Sequence, residues 1–160
     1  MIKAQASTLI SSPAERVFEF IAVDFFKNYR RWSPEVVALQ PVTDGPVQVG
    51  TAARQVRIDQ GRQTESTFKV CAFVPGKRVD FQGLSSPFYI SYQLESIEGN
   101  TRLTFVFELL KLEFYMRPFE KLIRSAIREG AHRVVHNIKG LLEAEESSGP
   151  KRSQVYREKY

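Results

Sequence analysis

Cysteine is nearly absent from this sequence of 160 residues, in which Cys71 stands alone. A single cysteine excludes an intrachain disulfide and a zinc site built on several thiolates. The longest apolar runs are far shorter than the ~18 residues that a membrane-spanning helix requires. The first residues also lack the basic and then apolar pattern of a signal peptide. We therefore expect a cytoplasmic protein without a membrane span.

Local motifs typical of catalysis are missing as well. The sequence has no glycine-rich phosphate loop and no nucleophile placed beside a recognisable base. His132 and His136 have the i, i+4 spacing that can chelate a metal, but both lie away from the apolar stripe of their predicted helix, and no third ligand is evident. We therefore predict neither a metal nor a cofactor.

The excess of basic residues is concentrated at the C-terminus. The chain has 23 Lys and Arg against 18 Asp and Glu, and four basic residues but one acidic residue lie in the segment 147–160. No basic stripe with interleaved aromatics continues into the body, so we predict no nucleic-acid binding. We interpret 147–160 as a polar, disordered tail and residues 1–146 as one domain.

Hydrophobic periodicity predicts an α+β fold. Apolar positions at helical spacing predict one long amphipathic helix from Pro118 to Glu146. Two short helices are predicted after the first strand, the second of them from Asp24 to Trp32. Period-two alternation between turn signals predicts strands at 2–10, 36–42, 51–59, 63–74, 78–83, 88–97 and 101–110. The helices are then expected to lie on one face of a curved, seven-stranded antiparallel sheet.

Four segments of the sequence resemble the SRPBCC superfamily, also called the START-like or helix-grip fold, and within it the polyketide cyclase/dehydrase-like group. They are SSPAERVFEFIA at 11–22, NYRRWSP at 28–34, VGTAAR at 49–54 and IKGLLEAE at 138–145. The resemblance covers residues 1–146 and rests on motifs of the fold, none of which is catalytic. It implies that the seven-stranded sheet wraps around the C-terminal helix and that a cavity between them holds an apolar or amphipathic small molecule.

The residues themselves are compatible with such a cavity. Large aromatics on the presumed inward faces alternate with small residues, namely Ala52, Ala72, Gly130 and Ala131, which leaves room for a void. The alternative is that the aromatics interlock into a dry core. The candidate ligand-binding residues are Phe25, Trp32, Arg54, Val56, Phe68, Phe81, Phe88, Tyr92, Phe105, Phe107, Phe119, Glu120, Ile123 and Ile127.

Three polar residues among these candidates bear most directly on ligand binding. Arg54 shares its strand parity with Val56 and should point inward, where a guanidinium needs a carboxylate or a ligand; the alternative is a bulge that turns it to solvent. Tyr92 has a hydroxyl that can orient a ligand carbonyl or complete a core hydrogen bond. Glu120 is expected at the cavity mouth, unless the sheet ends before this turn of the helix.

The leading functional hypothesis is binding or transport of a hydrophobic or amphipathic small molecule, such as a lipid, a quinone or a polycyclic aromatic. The alternative is an enzyme of the polyketide cyclase or dehydratase type that uses the same cavity, which requires an inward acid or base. A third hypothesis, a module that binds a protein partner across the outer face of the sheet, requires an exposed apolar patch there, and Tyr89 and Val106 are too few to predict one.

Overall fold

The computed structural model describes the backbone of residues 1–158 and the side chains of residues 1–147. The side chains of residues 148–160 are outside the described part of the chain. The expectation of a disordered tail at 147–160 therefore stays a prediction. Within the described residues, no helix has the length and the apolar character that crossing a membrane would need.

Seven strands and three α-helices follow one another in the predicted order. The strands are β1 (Ile2–Ile10), β2 (Val36–Pro41), β3 (Ala52–Asp59), β4 (Arg62–Val74), β5 (Arg78–Gly83), β6 (Phe88–Ile97) and β7 (Asn100–Leu109). The helices are α1 (Ala14–Phe18), which continues into a π-helical turn (Glu19–Val23), then α2 (Phe25–Trp32) and α3 (Glu120–Glu158). Strand bounds agree with the prediction to within about a residue. The long helix begins two residues later than predicted, because Pro118 belongs to a preceding 3-10 helix, Phe114–Phe119.

All neighbouring strands are antiparallel, in the order β1-β7-β6-β5-β4-β3-β2. Consecutive strands from β2 to β7 are neighbours, so each hairpin is closed by the turn residues that the sequence places there. The turns after β3 and β6 use Gly61 and Gly99, which adopt positive φ values of 80° and 84°. Register shifts lie between Val70 and Ala72 and between Val36 and Ala38, where extra residues bend the sheet. The predicted α+β, helix-grip architecture is confirmed.

The centre of the core lies where the later turns of α3 pack on β1 and β7. Ala131, Val135, Ile138 and Leu142 recur at helical spacing and are all buried, the last two completely. Trp32 at the end of α2 is also buried. This apolar stripe attaches the helix to one edge of the sheet.

Polar contacts secure the same end of α3. Glu145 pairs with Arg16 of α1 at 2.6 Å and with Arg31 of α2 at 3.1 Å. The backbone N–H of Ser11 donates to the Glu143 carboxylate at 3.0 Å, and Lys139 lies 3.1 Å from the same group. The N–H of Ser11 is the first cause of the lowered pKa of Glu143, followed by Lys139, since both favour the ionised carboxylate.

The convex face of the sheet carries a separate polar cluster around Asp80. Its carboxylate accepts hydrogen bonds from the hydroxyls of Ser91 and Tyr89, both at 2.5 Å, and from Arg78. Burial raises the pKa of Asp80, but the bonds from these three donors outweigh it, so the net pKa is lowered. The group is ionised and fully engaged in the structure of the sheet.

Candidate functional site

A cavity of about 500 Å³ lies between the concave face of the sheet and the part of α3 from Ala126 to Asn137. This volume is within the range of about 300–1,000 Å³ that is usual for small-molecule sites. The dry-core alternative is therefore incorrect for this part of the domain, although the same aromatics do interlock deeper in the molecule.

One wall of the cavity is apolar. β6 and β7 contribute Phe88, Phe105 and Phe107, and α3 contributes Ile127 and Val134. The rings of Phe88 and Phe107 are stacked, with centroids 6.2 Å apart and an interplanar angle of 11°. Because the two strands alternate strictly, every second side chain points toward α3, which is how the sequence concentrates rings on this wall.

Two small residues of α3 leave the cavity open. Gly130 and Ala131 both line it, as the sequence suggested. A Cβ atom added at Gly130 would meet only the Arg133 guanidinium within 4 Å, at 3.9 Å, so the space above this glycine is open. Ala52 and Ala72, the other two small residues of the prediction, are not among the lining residues.

The opposite wall is polar and forms a continuous chain of hydrogen bonds. The Arg57 guanidinium donates to the Tyr29 hydroxyl at 3.3 Å, and that hydroxyl donates to the Gln55 side-chain oxygen at 2.9 Å. The Gln55 amide in turn donates to the Ser66 hydroxyl at 3.1 Å. Arg57 also contacts both carboxylate oxygens of Asp59, each at 3.2 Å. All five residues line the cavity.

Burial and neighbouring polar groups together determine the protonation states on this wall. Burial raises the pKa of Tyr29 more strongly than Arg57 lowers it, so the phenol stays neutral and can both donate and accept. Burial alone would lower the pKa of Arg57, but Tyr29 and the Asp59 carboxylate favour the charged form, and the net pKa is raised. The wall therefore offers a permanent cation beside a neutral hydroxyl.

A second hydroxyl borders the cavity from the sheet. The Tyr92 hydroxyl accepts a hydrogen bond from the indole N–H of Trp32 at 3.3 Å. Burial raises the pKa of Tyr92, so it is neutral. Among the described residues no group accepts its proton, which leaves Tyr92 able to donate to a ligand.

Charged side chains surround the mouth of the cavity. Glu35 lies 3.9 Å from Arg133, which links the segment before β2 to α3. Arg62, Lys111 and Glu113 complete this rim. The charged residues that line the cavity are therefore of both signs.

Six of the fourteen candidate residues line the cavity directly: Trp32, Phe88, Tyr92, Phe105, Phe107 and Ile127. Three more, Phe25, Phe68 and Phe81, lie behind it and border a void of about 10 Å³, which is the size of one water molecule. The remaining five are Arg54, Val56, Phe119, Glu120 and Ile123, and none of them contacts either space.

The predicted inward orientation of Arg54 and Val56 is wrong. The inward residues of β3 are Ala53, Gln55 and Arg57. Arg54 lies on the convex face, where its side chain is 57% exposed and pairs with Glu65 across the hairpin. The parity rule failed because it assumes that the apolar residues of a strand face inward, whereas here the cavity requires polar ones.

The ligand contacts predicted at Phe119, Glu120 and Ile123 lie before the part of α3 that lines the cavity. Phe119 and Glu120 are exposed, and Ile123 is half-buried but outside the cavity. The helix reaches the cavity only from Ala126 to Asn137, because its first turns extend beyond the sheet. The alternative given for Glu120, a solvated position at the helix start where it pairs with Arg124 at 3.7 Å, is the correct one.

The polar wall was not predicted from the sequence, although a signal for it exists. Gln55, Arg57 and Asp59 share one parity in β3, and Thr64 and Ser66 share the facing parity in β4. Two polar faces that meet across one hairpin indicate either a solvated face or the polar side of a cavity. Only the position of Tyr29, which packs against Phe25 and Trp32, decides between them.

Metal binding finds no support within the described residues, where no three His, Cys, Asp or Glu side chains cluster closely enough to hold an ion. His132 and His136 are both exposed on α3.

Known proteins share this architecture. A protein from Thermus thermophilus superposes with a TM-score of 0.71 and 17% identity, covering 89% of this chain and 98% of its own. The Zhui aromatase/cyclase from Streptomyces sp. R1128 has a TM-score of 0.70 and 13% identity over 88% and 93% of the two chains. The protein Ara h 8.0201 has a TM-score of 0.62 and 13% identity, over 89% of this chain and 97% of its own. These TM-scores show a common fold.

Among curated proteins, no sequence matches this chain. The family model described as polyketide cyclase / dehydrase and lipid transport, however, matches residues 1–143, which is most of the chain. That match agrees with the four motifs, the strand order and the cavity. The chain belongs to this SRPBCC-type family of polyketide cyclases, dehydrases and lipid-transport proteins.

Proposed function

We propose that the protein binds a hydrophobic or amphipathic small molecule whose apolar body lies against the aromatic wall and whose oxygen atom accepts hydrogen bonds from the polar wall. The observation that carries this proposal is the cavity of about 500 Å³ with rings on one side and the Arg57–Tyr29–Gln55 chain on the other. We further propose a cytoplasmic location, which the single cysteine supports.

Two energetic contributions follow from this geometry. The apolar body gains about 25 cal/mol for each Å² that it removes from water. The oxygen of the ligand gains a charge-assisted hydrogen bond from Arg57, and bonds of this kind contribute about 1.5–3 kcal/mol. Tyr92, with its available proton, is a second donor on the sheet side.

The test compares two ligands that differ by one acceptor. 1-Acetylnaphthalene and 1-ethylnaphthalene have nearly the same shape, but the former alone has a carbonyl. We expect the native protein to prefer the ketone, and the Arg57→Met variant to lose about tenfold or more in affinity for it by calorimetry, with little change for the hydrocarbon. Arg54→Met is the matched control, since Arg54 lies on the same strand but on the convex face.

Several outcomes would contradict the proposal. These are equal affinity of the native protein for the two compounds, an equal loss in Arg54→Met, or failure of both compounds to bind. Native mass spectrometry of protein purified from its own host provides an independent measurement, because a cavity ligand should travel with the protein.

The second candidate is a cyclase or dehydratase reaction in the same cavity. Carboxylates of Glu35 and Asp59 border the cavity beside the neutral Tyr29 hydroxyl, so groups able to accept and donate a proton are present. A bound host compound that is recovered unchanged after prolonged incubation supports binding alone. Conversion that Tyr29→Phe abolishes while binding persists would favour the enzyme.

A further inference from the structure

The segment between β7 and the second turn of α3 presents aromatic side chains to solvent. Phe114 is 82% exposed, Tyr115 68% and Phe119 56%, and Leu122 is 70% exposed beside them. Among residues 1–147, every large aromatic that is exposed lies in this segment. Exposed apolar residues elsewhere in that range are aliphatic and scattered, which needs no special explanation. We call residues 110–124 the entry segment.

Basic residues are interleaved with these rings. The entry segment has four basic residues, Lys111, Arg117, Lys121 and Arg124, against two acidic ones, Glu113 and Glu120. Glu120 is already paired with Arg124, and the Arg117 guanidinium lies over the Phe114 ring, 5.8 Å from its centroid. The exposed apolar surface is therefore accompanied by a net positive charge.

The entry segment is continuous with the mouth of the cavity. Lys111, Leu112, Glu113 and Met116 line the cavity, and the exposed rings of Phe114 and Tyr115 lie between them in the chain. Anything that contacts these rings is next to the opening.

We propose that the entry segment docks on an anionic lipid bilayer, with its aromatic side chains among the headgroups and its basic residues on the lipid phosphates. Aromatic residues favour this interface because their apolar rings are buried there while polar atoms stay hydrated, and Lys and Arg are attracted by anionic lipids. Building on the proposed function, we infer that this contact lets an amphipathic ligand pass between the bilayer and the cavity without entering water.

The charge of the segment favours a bilayer over a second copy of the chain. Two identical surfaces that face each other across a dimer axis would bring the same excess of positive charge together, and like charges oppose such an association. An anionic lipid surface complements both the rings and the cations.

The experiment is flotation of the full chain with vesicles of phosphatidylcholine alone and of an equal mixture of phosphatidylcholine and phosphatidylglycerol. We expect clear binding to the mixed vesicles, much weaker binding to the neutral ones, and a decrease at high salt. The double variant Arg117→Glu/Lys121→Glu should lose tenfold or more, at about fivefold for each cation. Phe114→Ser/Tyr115→Ser should lose at least tenfold on the mixed vesicles.

Matched controls change the same chemistry elsewhere. Val42→Ser/Leu84→Ser removes two exposed aliphatic residues from other loops, and Lys27→Glu/Lys77→Glu reverses two exposed cations on other elements. Both should bind vesicles much more tightly than the entry-segment variants. Equal losses in the controls, equal binding of the native protein to both vesicles, or a dimer that the entry-segment variants dissociate would each overturn the proposal.

The ligand assay separates this proposal from the function on which it rests. Because the changed side chains are exposed, all four variants should fold and should bind 1-acetylnaphthalene in solution as the native protein does. A protein that binds this ketone but no vesicles would overturn the docking proposal alone. A protein that binds vesicles but has no preference for the ketone would instead overturn the proposed function.

Discussion

Two parts of α3, residues 120–130 and residues 131–146, differ in what they contact. Residues 120–130, which we call the entry half, are mostly exposed, and only Ala126, Ile127 and Gly130 line the cavity. Residues 131–146, the anchor half, also line the cavity with Ala131, Arg133, Val134 and Asn137, but in addition they pack on β1 and β7 and pair with α1, α2 and the end of β1. The anchor half therefore secures α3 to the rest of the domain, and the entry half stays mostly exposed at the cavity.

The largest expected effect is on the free energy of unfolding. Ile138→Ala in the anchor half should destabilise the protein by about 2–5 kcal/mol, since Ile138 is fully buried and the change leaves a hole. Ile127→Ala is the same substitution in the entry half, where the side chain borders an existing cavity, and should cost less than about 1.5 kcal/mol. Urea unfolding measures both values. Similar losses of unfolding free energy in the two variants would show that the two halves contribute equally to stability.

The next effect is on ligand affinity. Gly130→Leu places a side chain in the open space above the entry half and should lower the affinity for 1-acetylnaphthalene about tenfold or more. Gly140→Leu makes the same change at an exposed position of the anchor half, where a Cβ meets nothing within 4 Å. Both should gain about 0.5–1 kcal/mol of stability from helix propensity. Calorimetry measures both affinities. If both variants bind 1-acetylnaphthalene as tightly as the native protein does, the ligand does not occupy the space above Gly130.

The smallest effect concerns pH. The lowered pKa of Glu143 means that its contribution is complete above the ordinary glutamate value of about 4.3 and is lost as the pH falls through the folded-state pKa. Glu143→Gln should therefore be less stable than the native protein at pH 7, by under about 1 kcal/mol, and the difference should vanish in acid.

Glu129→Gln is the control for the pH effect, because Glu129 is exposed in the entry half. At pH 7 this variant should lose less stability than Glu143→Gln, because Glu143 contacts Ser11 and Lys139. If the Glu143→Gln difference were constant from neutral to acid pH, ionisation of Glu143 would not be its cause.

The sequence predicted the sheet well where two faces differ in polarity. In β6 and β7 the rings alternate with polar residues, and the predicted inward residues Phe88, Tyr92, Phe105 and Phe107 all line the cavity. The long helix was predicted equally well in its anchor half, because full burial imposes a strict apolar period.

Prediction failed in β3, where polar residues rather than apolar ones line the cavity. β3 turns Gln55 and Arg57 inward and Ile58 outward, so a rule that places apolar residues inside selects the wrong face. The contacts that satisfy Arg57 come from Tyr29, 28 positions away in the chain, and from Asp59. Local periodicity carries no information on such a pairing.

The position of Trp32 has a practical consequence. This residue is the only tryptophan of the chain, it lines the cavity, and its indole N–H donates to Tyr92 while its backbone oxygen accepts from Asn137 of α3. A ligand that enters changes the polarity around the single tryptophan, whose hydrogen bonds to Tyr92 and Asn137 otherwise fix its surroundings. The fluorescence emission of the unlabelled protein is therefore a direct optical readout of cavity occupancy, without an added dye.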